Sequence, residues 1–220
     1  MTDVAYDLSD LGEAGVVLTV LNTSDLVAQE RIWVVADELP RIEGVEEVLI
    51  GVNNLTCLFD PERITADKVS SCITKAWGEA RAWSGAPAIH EIPITYGGEA
   101  GPDLEELAAH VGMSPQEVIA LHSASELVVM AVGSQPGFGY LGGMDPRLAM
   151  PRKAKPRERV PAGSVIIGGA QTAVATSTSP NGWNVIGFTD WTFFDATNPH
   201  PARLRVGDRV RFIVKEAQDA

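Results

Sequence analysis

Cysteine is nearly absent from this 220-residue chain, which holds only Cys57 and Cys72. Two thiols cannot form the disulfide framework that staples small secreted domains, so a reducing cytoplasm is the expected compartment. Long apolar runs are also missing, since charge or proline interrupts each one before the roughly 18 residues that a membrane helix needs. The N-terminal stretch MTDVAYDLSDLGEAG carries four acidic residues and no Lys or Arg, the reverse of a signal peptide's basic start. Positive charge is scarce overall, with 17 Lys and Arg against 29 Asp and Glu. The resulting net charge of −12 repels nucleic acid and anionic membrane. No Gly-Lys pair occurs, which excludes a Walker phosphate loop. His90, His110, His122 and His200 share no metal-ligand spacing with one another or with the cysteines. No G-x-S-x-G elbow marks a nucleophile either.

What is present reads as two parts. In the first, Gly15 to Val20 is a strand, and Ser24 or Asp25 caps a helix running to about Leu39, with Pro40 and Gly44 beyond it. Val45 to Ile50 and Leu55 to Phe59 are strands joined through a Gly51-Val52-Asn53-Asn54 turn. Thr65 opens a second helix on which Val69, Ile73, Ala76 or Trp77, and Ala80 recur at helical steps. Ile89 to Tyr96 supplies a last strand. The order βαββαβ predicts a ferredoxin-like α+β domain over residues 1–96.

Residues 97–126 contain six acidic residues and no Lys or Arg. Asp103 begins a short helix there, and Ser114-Pro115-Gln116-Glu117 is a capping box opening another. The pair resembles a helix-turn-helix in spacing, but it lacks the cations that would meet phosphates, and a structural helical hairpin is expected. From Leu127 onward, apolar runs alternate with Gly, Pro and Asn-Gly turns, which predicts an all-β barrel completing a second domain over 97–220.

Two stretches of that half invite a functional reading. Gly137, Gly139 and Gly142 fall on the G-x-G-x-x-G spacing of dinucleotide loops. Such a loop must open a helix whose amides face the pyrophosphate. Here prolines at 146, 151, 156 and 161 leave no room for one, so the glycines are assigned to turns and close packing. The second stretch is basic: Arg147, Arg152, Lys153, Lys155, Arg157 and Arg159 lie within thirteen residues beside only one acid, Glu158. Stiffened by its prolines, this run suits bidentate recognition of carboxylate or phosphate. Phe138, Tyr140 and Trp183 are candidate walls of a pocket beside it.

PGFGYLGGMDPRLAMPRKAKPRERVPAGSV, then GGAQTAVATSTSPNGWNVIG, then LRVGDRVRF together resemble the KipI/PxpB family, whose members are called the B component of 5-oxoprolinase, allophanate hydrolase subunit 1 or KipI. The resemblance implies an N-terminal α+β domain and a C-terminal cyclophilin-like barrel. It implies one component of an ATP-dependent amidohydrolase that opens 5-oxoproline to glutamate. The implied partners are the larger C component of 5-oxoprolinase (allophanate hydrolase subunit 2) and a third, A component. ATP would serve the complex. Residues implied for catalysis are Arg157, Arg159 and Gln171, with Phe138, Tyr140, Arg152 and Thr172 at the substrate; His122 is a further catalytic candidate from its own position, at the end of a helix just before the β half. Two alternatives accompany it: a carboxyltransferase component of a biotin-dependent urea carboxylase system, and a KipI-like inhibitor of a sensor histidine kinase. The chain departs from the family pattern at Gly139, where a proline is usual, at Ala173 and Ala175, and at Ser134-Gln135.

Overall fold

Strand β1 (Tyr6–Asp10), which no expectation from the sequence includes, starts the first of two units, Met1–Ala86 and Pro87–Ala220. The computed structural model describes residues 4–21 and 26–218. After β1 come β2 (Gly15–Val20), α1 (Leu26–Glu38), β3 (Val45–Ile50), β4 (Asn54–Phe59) and α2 (Ala66–Glu79). The helix cap expected at Ser24 or Asp25 lies outside the described residues. The strands form an antiparallel sheet in the order β1-β2-β4-β3. Val16, Leu18 and Val20 alternate with Leu55, Cys57 and Phe59 on one face, where they pack with Ile32, Val35, Val69, Ile73 and Trp77 from the helices. The β3–β4 turn is held by Gln29, which donates to Gly51 O at 3.0 Å and accepts from Asn53 N at 2.9 Å. Thr65 caps α2 as expected, its side chain accepting from Lys68 N.

One element departs from the expected βαββαβ. Residues Ile89–Gly97 (β5) form no part of this sheet and belong to the second unit. In a βαββαβ sheet the last strand lies beside the first. Here β1 already pairs with β2 along five residues, from Tyr6↔Val20 to Asp10↔Val16. Its alternation is weak, only Tyr6 and Leu8 being partly buried among exposed polar neighbours, and so it leaves little trace in the sequence.

In the second unit β5 is followed by α3 (Leu104–Val111) and α4 (Pro115–Ala124). Ser114 and Glu117 form the reciprocal capping box. There follow β6 (Leu127–Val132), β7 (Gly139–Gly142), β8 (Arg157–Val160), β9 (Ser164–Gly168), β10 (Gln171–Val174), β11 (Ser179–Asn181), β12 (Asn184–Phe188) and β13 (Arg209–Gln218). Seven strands close a barrel in the order β10-β7-β6-β13-β5-β12-β9, while β8 and β11 form a separate ribbon. β5 joins β13 in parallel and β12 in antiparallel fashion, which buries Ile92, Ile94 and Tyr96.

Strand alternation divides the apolar side chains of this unit into two clusters. Leu141, Val165, Ile167 and Val174 join the main core with residues of α3 and α4. Their neighbours Tyr140, Ile166, Ala173 and Ala175 join a smaller cluster with Phe138, Val160, Trp183 and Val185. These two faces of the same strands carry the two polar arrangements described next. Among the described residues no helix is long and apolar enough to cross a membrane.

Candidate functional site

The smaller cluster opens to solvent as a groove of about 480 Å³ lined by Phe138, Tyr140, Trp183, Ala175, Gln135, Ser179, Asn181, Arg152 and Lys153, among others. Phe138 and Tyr140 meet edge to face, with ring centroids 4.9 Å apart. Trp183 lies flat on β9, because Gly168 has no Cβ; one placed there would come within 2.5 Å of the indole. The guanidinium of Arg152 sits 5.3 Å from the Trp183 ring centroid, a cation–π arrangement. Arg152 is exposed and pairs with no carboxylate among the described residues. Across the groove, Gln135 Nε2 donates to Ser179 Oγ at 3.0 Å, and Asn181 Oδ1 accepts from Trp183 N at 2.9 Å. Ser134 holds Gln135 there from a left-handed backbone (φ 62), a conformation uncommon outside glycine.

Three of the expected substrate residues, Phe138, Tyr140 and Arg152, thus share one groove. Arg157 stands behind it. Its guanidinium makes a bidentate pair with Asp103, with Nη2 to Oδ1 at 2.8 Å. The same carboxylate accepts from Lys153 Nζ at 2.9 Å and from Val185 N at 2.7 Å. Burial pushes the Asp103 pKa up, but hydrogen bonds from Arg157 and Lys153 outweigh it and hold the carboxyl below its ordinary range. The Arg157 guanidinium is therefore paired with a carboxylate of the fold through two of its donors. Arg159 is exposed on β8 and lies outside the groove lining, as does Gln171 at the start of β10.

His122 and Thr172 are brought together, but on the opposite face of the strands. The His122 side chain is fully buried, stacked on Phe212 at 5.0 Å. Thr172 Oγ1 donates to Ile166 O at 3.1 Å, so it accepts from His122 Nε2–H at 2.9 Å. That leaves Nδ1 as the acceptor for the Tyr96 hydroxyl at 2.8 Å. Every polar atom of this relay has a partner. Burial lowers the His122 pKa to about 3 and raises that of the Tyr96 phenol. Sealed and fully hydrogen-bonded, His122 and Thr172 belong to the packed interior, and neither is among the residues that line the groove. Gln171 and Thr172 are adjacent on one strand and so face opposite sides; they cannot line one pocket together.

The glycine run behaves as expected. Gly139–Gly142 is barrel strand β7, and Pro146–Leu148 after it is a single 3₁₀ turn. Gly137 has φ 74 and lies where a Cβ would come within 2.7 Å of Phe193 O. A Cβ at Gly142 would strike Met130. Without a helix N-terminus after it, the run lacks the strand–loop–helix form of a dinucleotide fingerprint. No group of His, Cys, Asp and Glu suited to a metal occurs among the described residues.

Sequence reasoning misses Ser179 and Asn181, whose positions depend on how the loops fold over the ribbon, whereas Gln135, singled out as a departure from the family pattern, lines the groove. It also misses Asp103 as a partner of the basic run.

The construction defines a class: an α+β chain whose closed barrel carries a ligand-sized groove with aromatic walls and one uncommitted guanidinium. The family model described as carboxyltransferase domain, subdomain C and D, matches residues 6–204. A protein of Escherichia coli O157:H7, named as the B component of 5-oxoprolinase, is 43% identical over 204 residues, 92% of this chain and 93% of the relative. Among solved structures, TTHA0988 has a TM-score of 0.76 at 32% identity, and the alignment covers 94% of this chain but 40% of that one. The urea amidolyase of K. lactis shares the fold, with a TM-score of 0.81 at 18% identity over 96% of this chain and 15% of that one. This chain belongs to the KipI/PxpB family, within the carboxyltransferase C and D subdomain group.

Proposed function

We propose that this chain is the B component of a 5-oxoprolinase-type enzyme and that its groove holds 5-oxoproline for ring opening to glutamate. The observation that carries this reading is the 43% identity to a 5-oxoprolinase B component over nearly the full length of both chains. The groove supports it. 5-Oxoproline is a compact lactam ring bearing one carboxylate. Arg152, stacked on Trp183 and free of other anions, offers that carboxylate two parallel donors. Phe138, Tyr140 and Trp183 enclose the ring, and Gln135 Oε1 is an acceptor for the lactam N–H, since the Gln135 amide nitrogen is engaged by Ser179.

This chain's share of the work is binding and orientation, which can supply much of a rate enhancement when the reacting partner is held nearby. ATP and the remaining chemistry are assigned to the partner C and A components. The test is to assemble the chain with both partners and measure 5-oxoproline-dependent ADP release. A folded, complete complex without turnover would remove 5-oxoproline as the substrate.

The description of the matching family model favours a second reading, a carboxyltransferase component. In that case the assembled complex would transfer carboxyl from a biotinylated carrier to a urea-type acceptor, and ADP release would be indifferent to 5-oxoproline.

A further inference from the structure

Asp103 is not among the groove's lining residues, yet the groove's cationic segment is fastened to it. The loop that carries it approaches β12 closely because position 101 is glycine; a Cβ there would come within 2.1 Å of Ile186 O. Asp103 N donates to Val185 O at 2.8 Å, and its Oδ2 accepts from Val185 N at 2.7 Å, so the residue docks on β12 through backbone and side chain together. The carboxylate, in a residue only 2% exposed, then gathers Arg157 and Lys153 from the basic run. Lys153 is secured twice more, its N–H donating to Gly182 O at 2.7 Å and its Nζ reaching Glu106 at 2.8 Å. On the other side of Arg152, Asn184 Nδ2 donates to Pro151 O at 3.0 Å.

Arg152 is thus flanked by two pinned residues and left facing the indole of Trp183. Of the two cations that line the groove, Lys153 is consumed by Asp103 and Glu106, while Arg152 keeps its donors. A buried ion pair adds little net stability, because desolvation offsets the attraction, whereas its geometry is narrowly specified. We propose that Asp103 is a positioning residue: by clamping Lys153 and Arg157 it sets Arg152 over Trp183 to receive the carboxylate of the groove's ligand. This rests on the reading of the groove as the ligand site.

Two measurements on Asp103→Asn test it. In the full chain without substrate, amide hydrogen exchange across residues 150–160 is expected to quicken by about tenfold or more, with the first unit's sheet unchanged. In the assembled complex, KM for 5-oxoproline is expected to rise about tenfold with kcat held within about twofold, since only binding geometry is lost. Asp103→Glu, which keeps the charge, is expected to recover part of both effects. It also carries the test if Asp103→Asn does not fold. Unchanged exchange in the basic segment of a folded variant would overturn the proposal. So would an unaltered KM accompanied only by a lower melting temperature. Quickened exchange together with a wild-type complex inert on 5-oxoproline would support the clamp while removing that substrate.

Discussion

Residues 172 and 173 are neighbours on β10, yet they serve two different constructions. Thr172 faces a sealed relay with His122 and Tyr96 in which each donor has an acceptor. Ala173 faces the cluster beneath the open groove, where Arg152 retains unspent donors. Both sides contain residues that sequence reading nominates for chemistry. The difference is one of satisfaction: a buried group whose partners are all supplied by the fold specifies the core, while a cation held against an aromatic face without a counter-ion is available to a ligand.

The largest effect that would sharpen this contrast comes from His122→Ala. It leaves a cavity and strands the Tyr96 hydroxyl and Thr172 Oγ1, so a stability loss of about 3–5 kcal/mol is expected in urea unfolding. A loss below about 1 kcal/mol would mean that the relay contributes little to the core.

Acid acts on the same relay. An unfolded histidine titrates near 6.5, whereas folded His122 resists protonation until about pH 3. Below pH 6.5 the unfolded chain therefore binds a proton that the folded chain refuses. The contribution is complete above that value and is lost as pH falls toward 3. Between pH 7 and 4.5 about 2–3 kcal/mol of stability is expected to go. His122→Gln should flatten this dependence, and an equally steep dependence in the variant would assign the acid sensitivity to other groups.

On the groove side, Arg152→Ala is expected to raise KM for 5-oxoproline about tenfold, equivalent to about 1.4 kcal/mol of lost binding, while the melting temperature stays at the wild-type value. A stability loss without a change in KM would reverse the contrast. The smallest effect is expected from Arg159→Ala. This exposed residue lies outside the groove lining, and its removal should alter stability by less than about 0.5 kcal/mol and leave turnover intact. A loss of turnover on removing Arg159 would bring it back as a residue acting on the substrate or at a partner surface.

Legibility follows range. The capping box at Ser114 and Glu117, the Thr65 cap and the barrel strands from Leu127 onward are readable, because each rests on residues a few positions apart. β1 is hidden by its polar alternation, and β5 is expected in the wrong sheet because a strand's sequence does not name its neighbour. In the groove, Phe138, Tyr140 and Arg152 are identifiable from their types and closeness in sequence, and Trp183 from its type alone. Arg157 reads as a free cation because its partner, Asp103, lies 54 positions earlier.

Local chemistry alone thus settles much: the negative net charge, the proline-stiffened basic run, the failure of the glycine pattern as a phosphate cradle, and the strand and helix periodicities. These depend on composition and on neighbours along the chain. Tertiary structure decides which cations are spent and which remain, and on which side of β10 each residue looks. Those outcomes depend on long-range pairs such as Asp103 with Val185, 82 positions apart, and on strand register, where a shift of one residue exchanges the core for the groove.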